Sequence, residues 1–428
     1  MLKQLINRFK SSDFLINVSK LTSSTAIAQL ISIGTAPVLF RIYEREHYGI
    51  LGMYMAITCV LGVFSTLQYL QVIMLEKEDY NAINAMWLNR IINTSFAILV
   101  AISLLAFSSL FAKWTNNAAL SKWFWMIPIG IFFAGQNEIF RVWANRKKEY
   151  NLLTFNGIFL AVLTPIISIS LGLWMKNETG LFIGMLVGQS LPALILLIGL
   201  ANKYDLGLRK MDILVVKKLF KMHAKFPIYS LPSEFINSFS NQLPVFMLNH
   251  FVGVGAVGVY NLAMRMLGLP ISFIGSAISN VFQQRATEDF HQTGSCRGIF
   301  IKTFKSLALI SILPTILILL LGPELFQWTF GNNWREAGVY AQILIVMMML
   351  KLIVSPLSYT FFIVGKLHLD FVFHIGILVT TGLSLYIGLA FFDLKAGLLL
   401  FGVSYSFWYL VYLLFSYKYS CNAQIQIN

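Results

Sequence analysis

The segment Ala36–Ala56, APVLFRIYEREHYGILGMYMA, sets two apolar runs around RIYEREH, where two arginines, two glutamates and a histidine crowd together. Charge of that density is cheap in water and costly in hydrocarbon, so the pattern reads as two membrane-crossing helices joined by a turn at the surface. Farther along, Leu243–Arg265, LPVFMLNHFVGVGAVGVYNLAMR, repeats the outline. PVLF is matched by PVFM, and the re-entry Gly49-Ile50 by Gly258-Val259, but this second turn carries no charge until Arg265. The repeat predicts two turns of the same shape that differ only in their charges.

Composition extends this reading to the whole chain. The 428 residues are 57% hydrophobic and 12% charged, about half the charge of a soluble protein. A crossing helix needs about 20 mostly apolar residues, because its backbone must satisfy itself in lipid. Such runs are predicted at 14–39, 49–70, 91–112, 123–140, 152–174 and 180–201, then at 227–249, 256–283, 303–321, 338–363, 370–392 and 396–416. The expected architecture is an all-α polytopic membrane protein of twelve helices, with no soluble domain.

Orientation follows from the basic residues, which collect on the cytoplasmic side. With a cytoplasmic N-terminus, most of the 32 Lys and Arg fall in inside segments. The outside loops hold Arg41, Arg45, Lys113, Lys122, Lys176, Arg335 and Lys395, while Lys20, Arg265 and Lys351 lie within spans. Both termini are therefore expected in the cytoplasm. The net charge of +14 reads as an orientation signal with attraction to anionic lipid, and nucleic acid is not an expected partner. The N-terminus MLKQLINRFKSSD is read as leading into the first span, since no small-residue cleavage site follows it.

Residues 202–226 divide the chain. Met211, Leu214, Val215, Leu219, Met222 and Phe226 recur at helical spacing with Lys210, Lys217, Lys221 and Lys225 on other faces. An amphipathic helix at the cytoplasmic interface is expected, against the alternative of a solvated connector. The resulting organisation is an N-terminal six-helix half (1–201), the basic connector (202–226) and a C-terminal six-helix half (227–428). Halves of like topology are related by an axis along the membrane normal, with a cavity between them.

No catalytic constellation stands out. GVGAVG at Gly253–Gly258 fits a dinucleotide fingerprint in spacing but lies between membrane helices, with no strand before it and no acidic residue at the required distance. The six histidines lack metal-ligand spacing, and Cys59, Cys296 and Cys421 are scattered. No cofactor or metal site is expected. What remains is intramembrane charge, which is costly and usually functional. Arg265 and Lys351 lie deep in their spans and Lys20 in the inner part of the first. Each reads as a substrate-binding cation, or else as an internal ion-pair partner or, for Lys20, a snorkelling residue. Glu234 and Glu138 are candidates for gating or ion coupling, with pairing to a nearby cation as the alternative; Arg41 is a candidate gate at the outer turn. The excess of deep cations favours a polyanionic guest. Prolines 165, 192, 270, 314 and 356 lie inside spans and suggest kinked, cavity-lining helices. The first helix, rich in Ser, Thr and Gln, is expected to border water.

SKLTSSTAIAQLISIGTAPVLFRIYEREHYGILGMYMA resembles the opening of the bacterial polysaccharide-biosynthesis flippases. These are the O-antigen and capsule repeat-unit translocases of the multidrug/oligosaccharidyl-lipid/polysaccharide exporter (MOP) superfamily. The resemblance rests on the Ser/Thr/Gln-rich first helix, Arg41-Ile42-Tyr43, the acidic stretch Glu44–Glu46 and Tyr48-Gly49. VYNLAMRMLGLPI is similar to the eighth helix of the related peptidoglycan-precursor flippases, where an arginine in the place of Arg265 faces the cavity. The resemblance implies the two-bundle fold of that superfamily, including its MATE-type multidrug exporters. It implies movement of an undecaprenyl-pyrophosphate-linked oligosaccharide between leaflets of the bacterial cytoplasmic membrane, coupled to H+ or Na+ and without ATP. Arg265, Lys351 and Lys20 would meet pyrophosphate or acidic sugars, and Tyr229, Tyr260 and Tyr359 would stack on sugar rings, with packing as the favoured alternative for each. Implied partners are membrane lipids, a polysaccharide polymerase and a chain-length regulator. The rival readings are a multidrug cation antiporter of the same fold and a membrane polysaccharide polymerase or other membrane enzyme.

Overall fold

A computed structural model of the chain describes residues 13–115, 118–204 and 211–421. Every regular element among them is helical. The chain divides into two compact units, Met1–Ser238 and Phe239–Asn428. The first contains α1 (Asp13–Ile42), α2 (Arg45–Gly62), a short α3 (Leu70–Leu75), α4 (Asp79–Ala106), α5 (Met126–Arg146), α6 (Tyr150–Met175), α7 (Thr179–Ala201) and the connector helix α8 (Ile213–Met222). The unit boundary falls inside α9 (Leu231–Phe251). The second unit continues with α10 (Val254–Pro270), α11 (Ser276–Thr293), α12 (Arg297–Phe330), α13 (Arg335–Leu357), α14 (Leu367–Phe391) and α15 (Leu394–Ser420).

Ten segments among the described residues are helical, long and apolar enough to cross a membrane. The expected spans 123–140 and 227–249 are indeed helical, as α5 and α9, but are too polar to qualify on hydropathy. Their polarity has a local cause: α5 carries Gln136, Asn137, Glu138 and Arg141, and α9 carries Glu234, Asn237, Ser238 and Asn241. One boundary is corrected outright. The third span does not start at 91; α4 begins at Asp79, which places Arg90 inside a helix and not in a loop.

Small residues let the helices approach. Gly180, Gly184 and Gly188 form a stripe along α7, and a Cβ at Gly184 or Gly188 would overlap the side chain of Ser168 or Thr164 on α6. In the second unit Gly338 of α13 meets the Gly322–Pro323 backbone of α12. Without a hydrophobic force between helices in lipid, contact of this kind is what holds them together. The prolines expected to mark kinks lie inside continuous helices, Pro165 in α6 and Pro192 in α7. Where the helical ladder does loosen, it forms five-residue π turns: Phe226–Ser230, which contains Pro227, and Ile271–Gly275, which follows Pro270.

The RIYEREH turn is pinned by its tyrosine. Tyr43 is buried, its hydroxyl donates to the Ser168 carbonyl at 2.6 Å, and burial pushes the phenol up to about 12. Its charges decorate the rim: Arg45 pairs with Glu46 at 3.0 Å, His47 lies 3.9 Å from Glu178, and Glu44 and His47 form a reciprocal cap on α2. The second turn has the same two-residue length between helices but not the same backbone. Gly253 adopts φ +118° there, a conformation closed to most side chains, whereas Glu44 stays extended.

The connector departs from expectation in its orientation. Val216 and Leu219 of α8 are buried in the core of the first unit beside Tyr69, Ile73 and Trp143, while Leu214 and Met222, assigned to the apolar face, are exposed. Four contacts fasten it: Tyr69 donates to the Phe220 carbonyl (2.8 Å), Tyr80 to Asp212 (2.9 Å), the Asp212 backbone N–H to Asn84 Oδ1 (2.7 Å), and His223 meets Glu76 (2.9 Å). The side bearing Val216 and Leu219 therefore packs on protein, and the lysines are left outside together with Leu214 and Met222. At the same end of the unit, Arg146 donates to the carbonyls of Ile73 (3.0 Å) and Glu76 (2.6 Å), Lys147 pairs with Asp79, and Lys203 meets Glu149 at 2.6 Å. The Lys203 contact holds the Glu149 carboxyl below its usual range. Basic residues thus tie the helix ends of this unit.

Candidate functional site

A cavity of about 610 Å³ opens within the first unit. Its walls come from α2 (Tyr54, Thr58, Cys59), the Val63–Thr66 segment, α5 (Gly130, Ala134, Gly135, Glu138), α7 (Met185, Gln189) and the start of α9 (Glu234, Ser238). The two helices too polar to qualify as spans thus bring their carboxylates to one chamber. Gly130 and Gly135 keep the α5 wall flat, since a Cβ at either would collide with Tyr54 or Asn93. Glu138 accepts from Arg141 at 3.2 Å and Glu234 is exposed on the wall. Ser238 hydrogen-bonds back to Cys59, its hydroxyl 3.4 Å from the carbonyl oxygen, so the start of α9 is stitched to α2. The lining offers acceptors and small hydroxyls. Among the described residues no three His, Cys, Asp or Glu side chains gather as a metal site.

Behind the α5 wall lies a buried polar chain that the sequence reading missed. Arg90 sits 4.2 Å over the Trp87 ring and 5.3 Å from that of Phe140, and its Nε donates to Gln136 Oε1 at 3.1 Å. Gln136 donates onward to Asn93 Oδ1 (2.9 Å), and Asn93 donates to the Ile131 carbonyl (3.3 Å). Gln136 and Glu138, two residues apart on a helix, point to nearly opposite sides. Fixing Gln136 against α4 therefore turns Glu138 toward the cavity. The signal was present in the sequence: Trp87, Arg90 and Asn93 recur every three residues along one helical face. Starting the span at 91 hid it.

Of the other candidates, Arg265 is exposed on α10 between buried Leu262, Ala263 and Leu267. Lys351 is half-buried on α13 among the buried Met347–Met349 and Leu352–Val354. The structure brings their helices together, since α10 packs on α13. Arg41 is exposed at the end of α1. Lys20 lies on α1, with its side chain outside the described residues. Tyr260 is 4% exposed in the core and is not available to stack on a sugar, Tyr359 stacks on Phe362 with centroids 5.5 Å apart, and Tyr229 is 72% exposed.

Comparison with known proteins adds to this geometry. A family model described as polysaccharide biosynthesis protein matches residues 38–339. The lipopolysaccharide biosynthesis protein WzxC of Escherichia coli is 21% identical over 359 residues, 82% of this chain and 71% of that protein. The teichuronic acid biosynthesis protein TuaB of Bacillus subtilis is 24% identical over 161 residues, 38% of this chain and a third of TuaB's length (33%). Among solved structures, the lipid II flippase MurJ in an inward closed conformation superimposes with a TM-score of 0.75 at 12% identity, covering 93% of this chain and 87% of MurJ. An inward-facing multidrug resistance MATE family transporter of the MOP superfamily gives 0.71 at 14%, covering 92% and 97%. At such identities the superpositions establish the fold. It is the all-helical, multi-pass membrane fold of that superfamily.

Proposed function

The chain belongs to the polysaccharide biosynthesis protein family, and from that premise we propose that it is a flippase for lipid-linked saccharide. Its substrate is an undecaprenyl-pyrophosphate-linked oligosaccharide repeat unit, moved from the inner to the outer leaflet of the bacterial cytoplasmic membrane by alternating access. The observation that carries the reading is the family match across residues 38–339. The fold shared with a lipid II flippase supports it.

The physical task is to pass a hydrated head group across about 30 Å of hydrocarbon while the polyprenyl tail stays in lipid. In this proposal the chain spans twelve times with both termini cytoplasmic, α5 and α9 being spans whose polarity serves the cavity. Arg265, Lys351 and Lys20 neutralise pyrophosphate or acidic sugar, and Arg41 gates the outer turn. Glu138 and Glu234 accept the coupling ion, H+ or Na+, in the first unit's cavity. Removing the gene in its host and assaying leaflet location of the lipid-linked saccharide tests this. The saccharide is expected to collect in the inner leaflet; unchanged appearance in the outer leaflet refutes it.

One observation favours a second reading, expulsion of organic cations: two carboxylates face a chamber large enough for a drug-sized ligand. Loss of drug resistance with normal surface polysaccharide on gene removal is the outcome that reading requires.

A further inference from the structure

A second cavity, of about 420 Å³, lies between α1, α5 and α6 on the other side of Glu138. Its polar lining is Thr25, Asn137, Glu138, Arg141, Asn145 and Asn156, and Leu153 and Leu160 add aliphatic surface. Asn156 is only 3% exposed and is half satisfied: its Nδ2 donates to Asn137 Oδ1 at 3.2 Å, while its Oδ1 has no hydrogen-bond partner among the described residues. An unpaired amide oxygen beside a cavity favours a guest that can donate to it.

The chemistry of that donor is constrained by its neighbours. On this side a guest meets an ion pair and not a lone charge, because Arg141 lies 3.2 Å from Glu138. An isolated anion is disfavoured by Glu138 itself. A hydroxyl group suits every member, since it donates to Asn156 Oδ1 or Glu138 and accepts from Arg141 or an asparagine NH2. Several hydroxyls on one ring, with C–H faces against Leu153 and Leu160, would use the amides, the ion pair and the aliphatic surface together. We infer that this cavity is a saccharide subsite, in which Asn156 Oδ1 accepts from a ring hydroxyl and the Glu138–Arg141 pair engages its neighbours.

The inference deepens the flippase reading and rests on it for the source of the saccharide. Asn145 adjoins Arg146, which ties α5 to the basic end of the unit. That end is cytoplasmic by the distribution of its lysines and arginines. The subsite is therefore placed where a head group arriving from the inner leaflet first meets protein.

The test uses the full chain in polysaccharide-producing cells, with a benzophenone amino acid at Leu153 and, separately, at Leu160. Irradiation, purification and mass analysis read what each position captures. A sugar-bearing adduct is expected, at least fivefold weaker with Asn156→Leu at equal protein abundance and retained with Asn156→Asp, which keeps an acceptor in the same shape. Adducts free of sugar at both positions overturn the inference, as does a sugar adduct undiminished by Asn156→Leu. If the flippase reading fails alone, the sugar adduct persists while gene removal leaves the leaflet distribution unchanged.

Discussion

Replacing Gln136 with leucine tests how the cavity wall is held. The side chain is buried and serves two partners, accepting from Arg90 and donating to Asn93. Leucine keeps the volume and removes both contacts. Asn93 Oδ1 is then orphaned in a dry interface, and Arg90 keeps its rings but loses its acceptor. An unsatisfied buried group costs about 1–3 kcal/mol. Arg90 is half-buried and regains part of its hydration, so the sum is about 2–4 kcal/mol. At about 2–4 °C per kcal/mol for a domain of this size, melting of the purified protein should fall by about 4–16 °C. The double substitution Arg90→Met with Gln136→Leu removes the charge along with its acceptor and should recover part of the loss, a coupling that independent sites do not show. A fall of less than about 1 °C for Gln136→Leu, or a double variant no more stable than the single, refutes the reasoning.

Four further outcomes are expected. Gly188→Val should abolish the monodisperse peak in size-exclusion chromatography, because its side chain meets Thr164, whereas Gly34→Ala, with open space around it, should be tolerated. Cys59 is exposed and should react with maleimide at neutral pH. Cys296, whose thiol burial pushes up to about 11, should stay unlabelled until the protein unfolds or the pH approaches that value. The Asp212 carboxyl is held below its usual range by the backbone N–H of Leu214 and by Tyr80, so the ionised form favours the docked α8. Its contribution is present above the ordinary carboxylate value of about 4 and is lost as pH falls through the depressed one. Hydrogen exchange of α8 should therefore be steady from pH 8 to 6 and accelerate only in acid; acceleration between 8 and 6 would contradict this. Glu138→Gln with Glu234→Gln should leave the protein folded and inserted but uncouple transport from the imposed ion gradient; full coupling would remove both from that role.

The alternation of apolar runs with basic turns made the helical membrane fold legible, because hydropathy and charge act locally along the chain. The family resemblance was legible in the same way, carried by one continuous opening segment. The cavity was not. Thr58, Gly135, Gln189 and Glu234 converge from four helices, and nothing in linear spacing announces that meeting. Glu138 and Glu234 were visible as misplaced charges, but not their sharing of one chamber. The Trp87–Arg90–Asn93 face was readable in principle and was concealed by treating an arginine as a loop marker. In α8 the lysine face was apparent, yet which apolar residues it buried depended on the surface that Tyr69, Ile73 and Trp143 present.

The central claim is that this chain carries a saccharide head group across the bilayer. Its most direct test is reconstitution of the purified chain into liposomes containing a lipid-linked oligosaccharide labelled on one leaflet. Protein-dependent transfer to the opposite leaflet is expected, abolished by Arg265→Ala with Lys351→Ala while the protein remains inserted. Equal transfer in protein-free vesicles, or none with folded protein under an imposed H+ or Na+ gradient, would contradict it.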